Sequence, residues 1–176
     1  MDAFQQHIAA WQPFFITLAG IGATLAGLLF VAISLHPVDK YGEAKVNLRR
    51  LAEHTFADLV QVLFLGMFFI APGQLPSFYA SSIILTVILG MSGPARRLLE
   101  AWRDRDHTVH REHFIRRMRM SIMGRGFVFL GGVMLFISHD TGAATEQDMI
   151  LIFSGSLVLL IAAMRNAWFL ILQEET

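Results

Sequence analysis

The sequence of 176 residues contains no cysteine, which excludes a disulfide framework, a thiolate metal site and a cysteine nucleophile. Charge is also missing over long stretches, since no Asp, Glu, Lys or Arg occurs in 13–35, 59–95 or 149–164. A helix needs about 20 consecutive apolar residues to cross the hydrocarbon core of a bilayer. The uncharged stretches therefore predict an integral membrane protein that is an all-α, polytopic helical bundle.

The N-terminal segment lacks the features of a cleaved leader. The first 12 residues contain neither Lys nor Arg, whereas a secretory signal peptide begins with a basic segment. The apolar stretch that follows is also longer than the core of a signal peptide. We therefore expect a permanent first membrane span.

Proline and glycine positions divide the apolar sequence into five spans of one transmembrane domain. Pro13 suits the first turn of the first helix, and the Gly93-Pro94 step bends or breaks the third. An amphipathic stripe extends the second helix back towards Glu43. The predicted spans cover residues 13–35, 55–71, 77–91, 119–138 and 149–172.

The basic residues are concentrated in two connecting segments. Nine arginines fall between Arg96 and Arg125, and 36–54 contains two lysines and two arginines, whereas 139–148 is acidic without a base. Lys and Arg mark the cytoplasmic side of a membrane protein. The pattern predicts an outside N-terminus and a cytoplasmic C-terminus. A four-span version would put the two basic segments on opposite sides, so we reject it.

The segment 94–118 predicts a basic cytoplasmic helical hairpin with its turn near Asp106 to Val109. Its arginines favour anionic lipid head groups as partners rather than nucleic acid. His107, His110 and His113 recur every three residues. On a helix the outer two are about 120° apart, which favours a solvated polar face over a metal site, and we assign no metal ligand.

The depths of the charged residues along their helices predict a charge cluster inside the membrane. At about 1.5 Å per residue, Asp58 and Arg125 each lie roughly 20 Å from the outer ends of their spans, and Arg165 is slightly closer to the cytoplasm. His54 and Gln61 share the helix face of Asp58. A lone carboxylate at this depth is costly, so we expect Asp58 to pair with Arg125 or Arg165.

Two interpretations of this cluster remain open. It is either a proton- or ion-responsive group that faces a cavity, or a static ion pair that fixes the helix register. The sequence contains no phosphate-binding glycine loop, Ser-His-Asp set or glutamate-rich di-metal helix pair. We therefore expect no enzymatic activity and no cofactor.

The first span carries a stripe of small or weakly polar residues, spaced by alternating threes and fours: Thr17, Gly20, Thr24, Gly27, Val31 and Ser34. A second face has small residues at four-residue spacing: Ala19, Ala23 and Gly27. The stripe is typical either of a helix that lines a narrow pore, with Val31 as a constriction, or of close packing between helices. Four glycines of the fourth span predict close helix contact: Gly124, Gly126, Gly131 and Gly132.

Three segments resemble, in the same order along the chain, a group of small bacterial membrane proteins. They are GATLAGLLFVAIS at 22–34, APGQ at 71–74 and NAW at 166–168. Some members of that group carry the label of modulators of a membrane-bound AAA protease. The resemblance implies a location in the bacterial inner membrane.

These patterns favour a small homo-oligomeric ion channel or pore, because five spans form too thin a bundle to enclose a pathway alone. The alternative is a non-enzymatic regulatory or scaffold subunit of a larger membrane complex, such as a membrane protease. A membrane enzyme is disfavoured, because the ionisable groups form no recognisable acid-base or metal set.

Overall fold

A computed structural model describes residues 3–35, 43–71, 75–103, 108–138 and 146–172. These residues form five helices: α1 (Ala3–Leu35), α2 (Glu43–Ile70), α3 (Pro76–Arg103), α4 (Thr108–Ser138) and α5 (Glu146–Leu172). Four segments are long and apolar enough to cross a membrane: Ile8–Ser34, Leu48–Ile70, Met118–Ser138 and Glu146–Leu170. The apolar part of α3, Pro76–Met91, is shorter. The described residues are therefore helical as predicted, with four helices of membrane-spanning length and composition, while the predicted span in α3 stays a prediction.

Two helix boundaries differ from those that the positions of proline in the sequence predicted. Pro13 lies inside α1 and not in its first turn, because the helix begins ten residues earlier at Ala3. The Gly93-Pro94 step does not break α3, which continues to Arg103. Proline removes one backbone hydrogen bond, and that loss does not end a helix whose turns on both sides are otherwise intact. The early start of α2 at Glu43 is as predicted.

Part of the predicted basic hairpin lies outside the described residues. The structure describes the backbone up to Arg103 and again from Thr108, so Thr108 and Val109 of the predicted turn are helical. His107 and the side chains of His110 and His113 are outside the described part of the chain.

Helices α2 to α5 form a four-helix bundle in which α3 and α5 each pack against both α2 and α4. Helices α2 and α4 therefore lie diagonally opposite each other. Helix α1 packs on the outside of this bundle, mainly against α2 and more lightly against α5. The peripheral position of α1 leaves much of its surface without a neighbour within the chain.

The glycine contacts show that consecutive helices run antiparallel. On α4 and α5, a Cβ at Gly124 would lie 2.9 Å from Leu159, and a Cβ at Gly131 would lie 2.7 Å from Ile152. The numbers rise on one helix as they fall on the other. Because the same holds for the other neighbouring pairs, α1, α3 and α5 run in one direction and α2 and α4 in the other.

Two glycines set the contact between α1 and α2. A Cβ at Gly66 would lie 2.5 Å from the carbonyl oxygen of Phe15 and 2.6 Å from the Cβ of Ala19. A Cβ at Gly22 would lie 3.2 Å from the carbonyl oxygen of Leu59. Close backbone approach at small residues is the usual way in which membrane helices associate. Gly66 cannot gain a side chain unless α1 moves away from α2.

Within the chain, only one residue of the predicted small-residue face of α1 packs against a neighbouring helix. Ala19 is buried, whereas Ala23 and Gly27 are exposed, because a spacing of exactly four drifts around a helix of 3.6 residues per turn. On α4, Gly124 and Gly131 contact α5 and Gly132 contacts α3, as predicted, but a Cβ at Gly126 would meet no neighbouring helix within 4 Å. Periodicity alone did not separate the inward glycines from the outward one.

Aromatic rings fill the end of the bundle near Ile70. The rings of Phe15 and Phe69 stack with centroids 3.8 Å apart, and Phe69 stacks on Tyr79 at 5.4 Å. The Tyr79 hydroxyl donates a hydrogen bond of 2.7 Å to the carbonyl oxygen of Ala71, beyond the end of α2. This bond satisfies a polar group that a helix end leaves without an intrahelical partner. The buried polar side chains of α2 and α4 lie further from Ile70 than this aromatic layer does.

Candidate functional site

The candidate site is a group of polar side chains in the interior of the bundle, which we call the Asp58 cluster: His54, Asp58, Gln61, Ser121 and Arg125. All five side chains are buried, and Asp58 has no exposed surface. Among the described residues, Arg125 is the largest fully buried side chain, at 1% exposure. Charged groups at this depth are tolerated when they are paired and hydrogen-bonded.

An ion pair joins the two diagonal helices at the centre of the cluster. Arg125 Nη2 lies 2.6 Å from Asp58 Oδ1. The Ser121 hydroxyl donates a hydrogen bond of 2.6 Å to Asp58 Oδ2. Each carboxylate oxygen therefore accepts a bond from α4, which ties the middle of α2 to α4 across the bundle. Charge-assisted bonds of this length are among the strong ones in proteins.

The second contact of the guanidinium is with an amide. Arg125 Nε donates a hydrogen bond of 3.0 Å to Gln61 Oε1. A Cβ at Gly90 of α3 would lie 2.7 Å from the same Gln61 oxygen and 3.5 Å from Arg125 Nε. Gly90 thus supplies the room in which the amide and the guanidinium meet. A larger residue there would collide with Gln61.

Helical periodicity explains which residues reach the cluster. His54, Asp58 and Gln61 are spaced by four and three along α2, so they lie on one face of that helix. Ser121 and Arg125 are spaced by four along α4 and likewise share a face. Because α2 and α4 run in the same direction, Ser121 meets Asp58 from the side of His54, and Arg125 meets it from the side of Gln61.

The depth of the cluster follows from the helix ends. At about 1.5 Å per residue, Asp58 is about 18 Å from Ile70, and Arg125 is about 20 Å from Ser138. These two ends lie on the same side of the bundle. A hydrocarbon core about 30 Å thick that began at these two ends would place the ion pair past its middle, nearer the end where α3 continues to Arg103.

His54 is in contact with the carboxylate without a hydrogen bond to it. Its Nδ1 lies 3.2 Å from Asp58 Oδ2, and the ring is 5% exposed. Neither ring nitrogen has a hydrogen-bond partner among the described residues. The same is true there of Gln61 Nε2 and Arg125 Nη1. The cluster thus has more buried donors than acceptors.

The structure assigns the ion pair of Asp58 to Arg125 and not to Arg165. Of the five predicted cluster residues, it brings together His54, Asp58, Gln61 and Arg125. Arg165 is exposed on α5, so its predicted place in the cluster is wrong. Depth along the helix axis was similar for both arginines, but depth does not fix the direction in which a side chain points.

Sequence reasoning missed two members of the site. Ser121 precedes Arg125 by one helical turn, and this spacing could have identified it as a residue on the same face. Gly90 had no comparable signal, since its role depends on the crossing of α3 over the amide of Gln61. The hydroxyl of Thr55, next to His54, is buried but bonds to the carbonyl oxygen of Leu51 in its own helix.

The stripe of α1 lies outside the bundle. All six of its residues are exposed: Thr17, Gly20, Thr24, Gly27, Val31 and Ser34. The three hydroxyls donate to carbonyl oxygens one turn earlier in α1, at distances of 2.8–2.9 Å. Their donors are thereby satisfied while their oxygens keep lone pairs that face outwards. The stripe lies about half a turn from the side of α1 that contacts α2.

The described residues contain no group of three or more His, Cys, Asp or Glu that could hold a metal ion. Comparison with family models, with curated proteins and with solved structures gives no match to this chain. The site must therefore be interpreted from its own geometry.

Proposed function

We propose that this protein is a homo-oligomeric channel of the bacterial inner membrane in which copies of α1 surround a central pathway. The observation that carries the proposal is the outward position of the α1 stripe. Other glycines of the bundle, such as Gly22, Gly66 and Gly155, are used in contacts within the chain. Gly20 and Gly27, which are two turns apart, have open space instead.

The chemistry of the stripe suits an axis shared by several copies. Small side chains allow close approach of helices in lipid, where no hydrophobic force drives association. Hydroxyl oxygens that face outwards offer acceptors to a passing cation or to water, and Val31 supplies an apolar ring near the end of α1. A closed ring of identical subunits is the ordinary symmetry of such an assembly. The peripheral position of α1 makes it available for this role.

The proposed orientation is an outside N-terminus and a cytoplasmic C-terminus, with five spans. Supporting it, the alternating helix directions bring Leu35, Glu43, Arg103 and Thr108 to one end of the bundle. The two basic segments of the sequence belong to that end, and basic segments favour the cytoplasm and its anionic lipid head groups.

Single cysteines test the orientation, since the natural chain has none. We expect an impermeant thiol reagent added outside intact cells to label Ser77→Cys and Thr141→Cys. Val109→Cys should react only after the membrane is opened. Labelling of Val109→Cys in intact cells would overturn the proposed topology.

The channel itself is tested by particle mass and by flux. We expect a multiple of 19.7 kDa in mild detergent and in lipid discs, and ion movement through liposomes that contain the purified protein. A monomer in both media would overturn the interface and the channel together. An oligomer without flux of any tested cation or anion would overturn the channel and favour the regulatory subunit.

A further inference from the structure

The imidazole of His54 is the one titratable ring of the Asp58 cluster. It takes no part in the hydrogen bonds that join the other members of the cluster. Asp58 accepts bonds from Ser121 and Arg125 at 2.6 Å, whereas His54 Nδ1 approaches Asp58 Oδ2 only to 3.2 Å. A buried polar group without a hydrogen bond costs about 1–3 kcal/mol. His54 has two such nitrogens among the described residues.

In the part of the chain that the structure describes, the other charged side chains near this ring are exposed. On its own helix Arg50, one turn before His54 on the same face, is exposed, and Arg49 and Glu53 are exposed and form an ion pair with each other at 3.1 Å. On α4 the buried charge is Arg125, while Arg119 is exposed, and on α5 Arg165 is exposed. The spans of α1 and α3 carry no charge between residues 8 and 34 or 76 and 91. Among the described residues, the buried charges next to His54 are thus Asp58 and, behind it, Arg125.

We propose that His54 and Asp58 form a proton-binding site inside the membrane bundle, with the proton held on His54 Nδ1. Histidine is the side chain that ordinarily changes charge between pH 5 and 8. A proton on Nδ1 needs only a small rotation of the ring to become a charge-assisted hydrogen bond to Asp58 Oδ2. One proton enters from water, and no bond between heavy atoms forms or breaks.

Uptake of this proton changes the link between α2 and α4. Asp58 Oδ2 then accepts from both His54 and Ser121, while Oδ1 still accepts from Arg125. The cluster passes from no net charge to one positive charge at the same place. The site therefore couples the proton concentration to the contact that spans the bundle. This coupling does not depend on assembly around α1.

The test is a pH titration of the full chain in lipid discs, with ¹⁵N-labelled histidine and ¹³C-labelled aspartate. The chain has 7 histidines, and His54→Gln identifies the His54 signals by their loss. Between pH 8 and 5, we expect both ring nitrogens of His54 to move to the imidazolium position. The Asp58 carboxyl signal should shift with the same midpoint and should not shift in His54→Gln.

The Ser121→Ala variant distinguishes protonation of His54 that involves Asp58 from protonation of His54 that does not. Without the competing hydroxyl, Asp58 Oδ2 is free for the imidazolium, so the midpoint in Ser121→Ala should differ from that of the natural protein. Thr55→Ala, which removes a hydroxyl bonded within α2, is the matched control and should leave the midpoint unchanged. A His54 ring that stays neutral down to pH 5 would overturn the proposal. An Asp58 signal that does not change with pH would also overturn the proposal. The same holds for a Ser121→Ala variant that has the midpoint of the natural protein.

Discussion

Asp58→Asn is expected to lower the free energy of unfolding in detergent by about 3–5 kcal/mol, the usual cost of removing one partner of a buried ion pair. The amide keeps the size of the carboxylate but not its charge, so Arg125, at 1% exposure, is left as an unpaired cation inside the bundle. The Ser121 hydroxyl loses its charged acceptor at the same time. Thermal or denaturant unfolding, followed by circular dichroism, measures the effect.

Arg125→Gln should partly restore the stability of Asp58→Asn, because the double variant no longer buries an unpaired charge. The two single changes should therefore not add, and the coupling should exceed about 1 kcal/mol for residues in direct contact. The exposed pair of Arg49 and Glu53 provides the control, with side chains 79% and 50% exposed. Arg49→Gln should change stability by at most about 1 kcal/mol. Independent, additive effects of the changes at 58 and 125 would contradict the pairing.

The part of the site that could be predicted from the sequence is the part that one-dimensional geometry controls. Helical spacing places His54, Asp58 and Gln61 on one face, and the uncharged stretches fix the depth of Asp58 and Arg125. The cost of an isolated charge in lipid then requires a partner for Asp58. These arguments need no knowledge of how the helices are arranged around each other.

The remaining part depends on rotation and on crossing points, which the sequence pattern does not encode directly. Arg165 has nearly the depth of Arg125 but points outwards from α5. Gly126 and Gly124 are two residues apart on α4, yet only Gly124 contacts α5. Pro13 is a good first-turn residue, but the helix that contains it begins at Ala3. In each case the neighbouring helix decides the outcome.

Because α2 and α4 lie diagonally opposite each other, the Asp58 cluster links two helices that are not direct neighbours in the bundle. These two helices have little direct backbone contact, and α3 and α5 separate them. The side chains of Ser121 and Arg125 reach across the interior to Asp58, and Arg125 also reaches Gln61. A change in the cluster therefore acts on the distance across the bundle and not on a single helix pair. Helix α1, packed on α2, would follow a movement of α2.

Gly27→Leu is expected to break the assembly of the protein while leaving each subunit folded. Gly27 is exposed in the middle of the α1 stripe, and a Cβ there would meet no atom of a neighbouring helix within 4 Å among the described residues, so a leucine side chain begins in open space. At an interface of closely packed small residues, the added side chain overpacks the contact by about 1–3 kcal/mol for each subunit. A loss of about 1.4 kcal/mol corresponds to tenfold weaker association.

The choice of control decides whether this result is informative. Leu29→Ala is unsuitable, because Leu29 is buried against the bundle and its truncation would destabilise the subunit. Gly126→Leu is the matched control, since Gly126 on α4 is also exposed and a Cβ there also meets no described neighbour within 4 Å. Light scattering in mild detergent and in lipid discs should show smaller particles for Gly27→Leu, and the natural mass for Gly126→Leu. Liposome flux should fall at least tenfold for the first variant and stay unchanged for the second. If Gly27→Leu keeps both the natural mass and the natural flux, α1 is not the axis of the assembly.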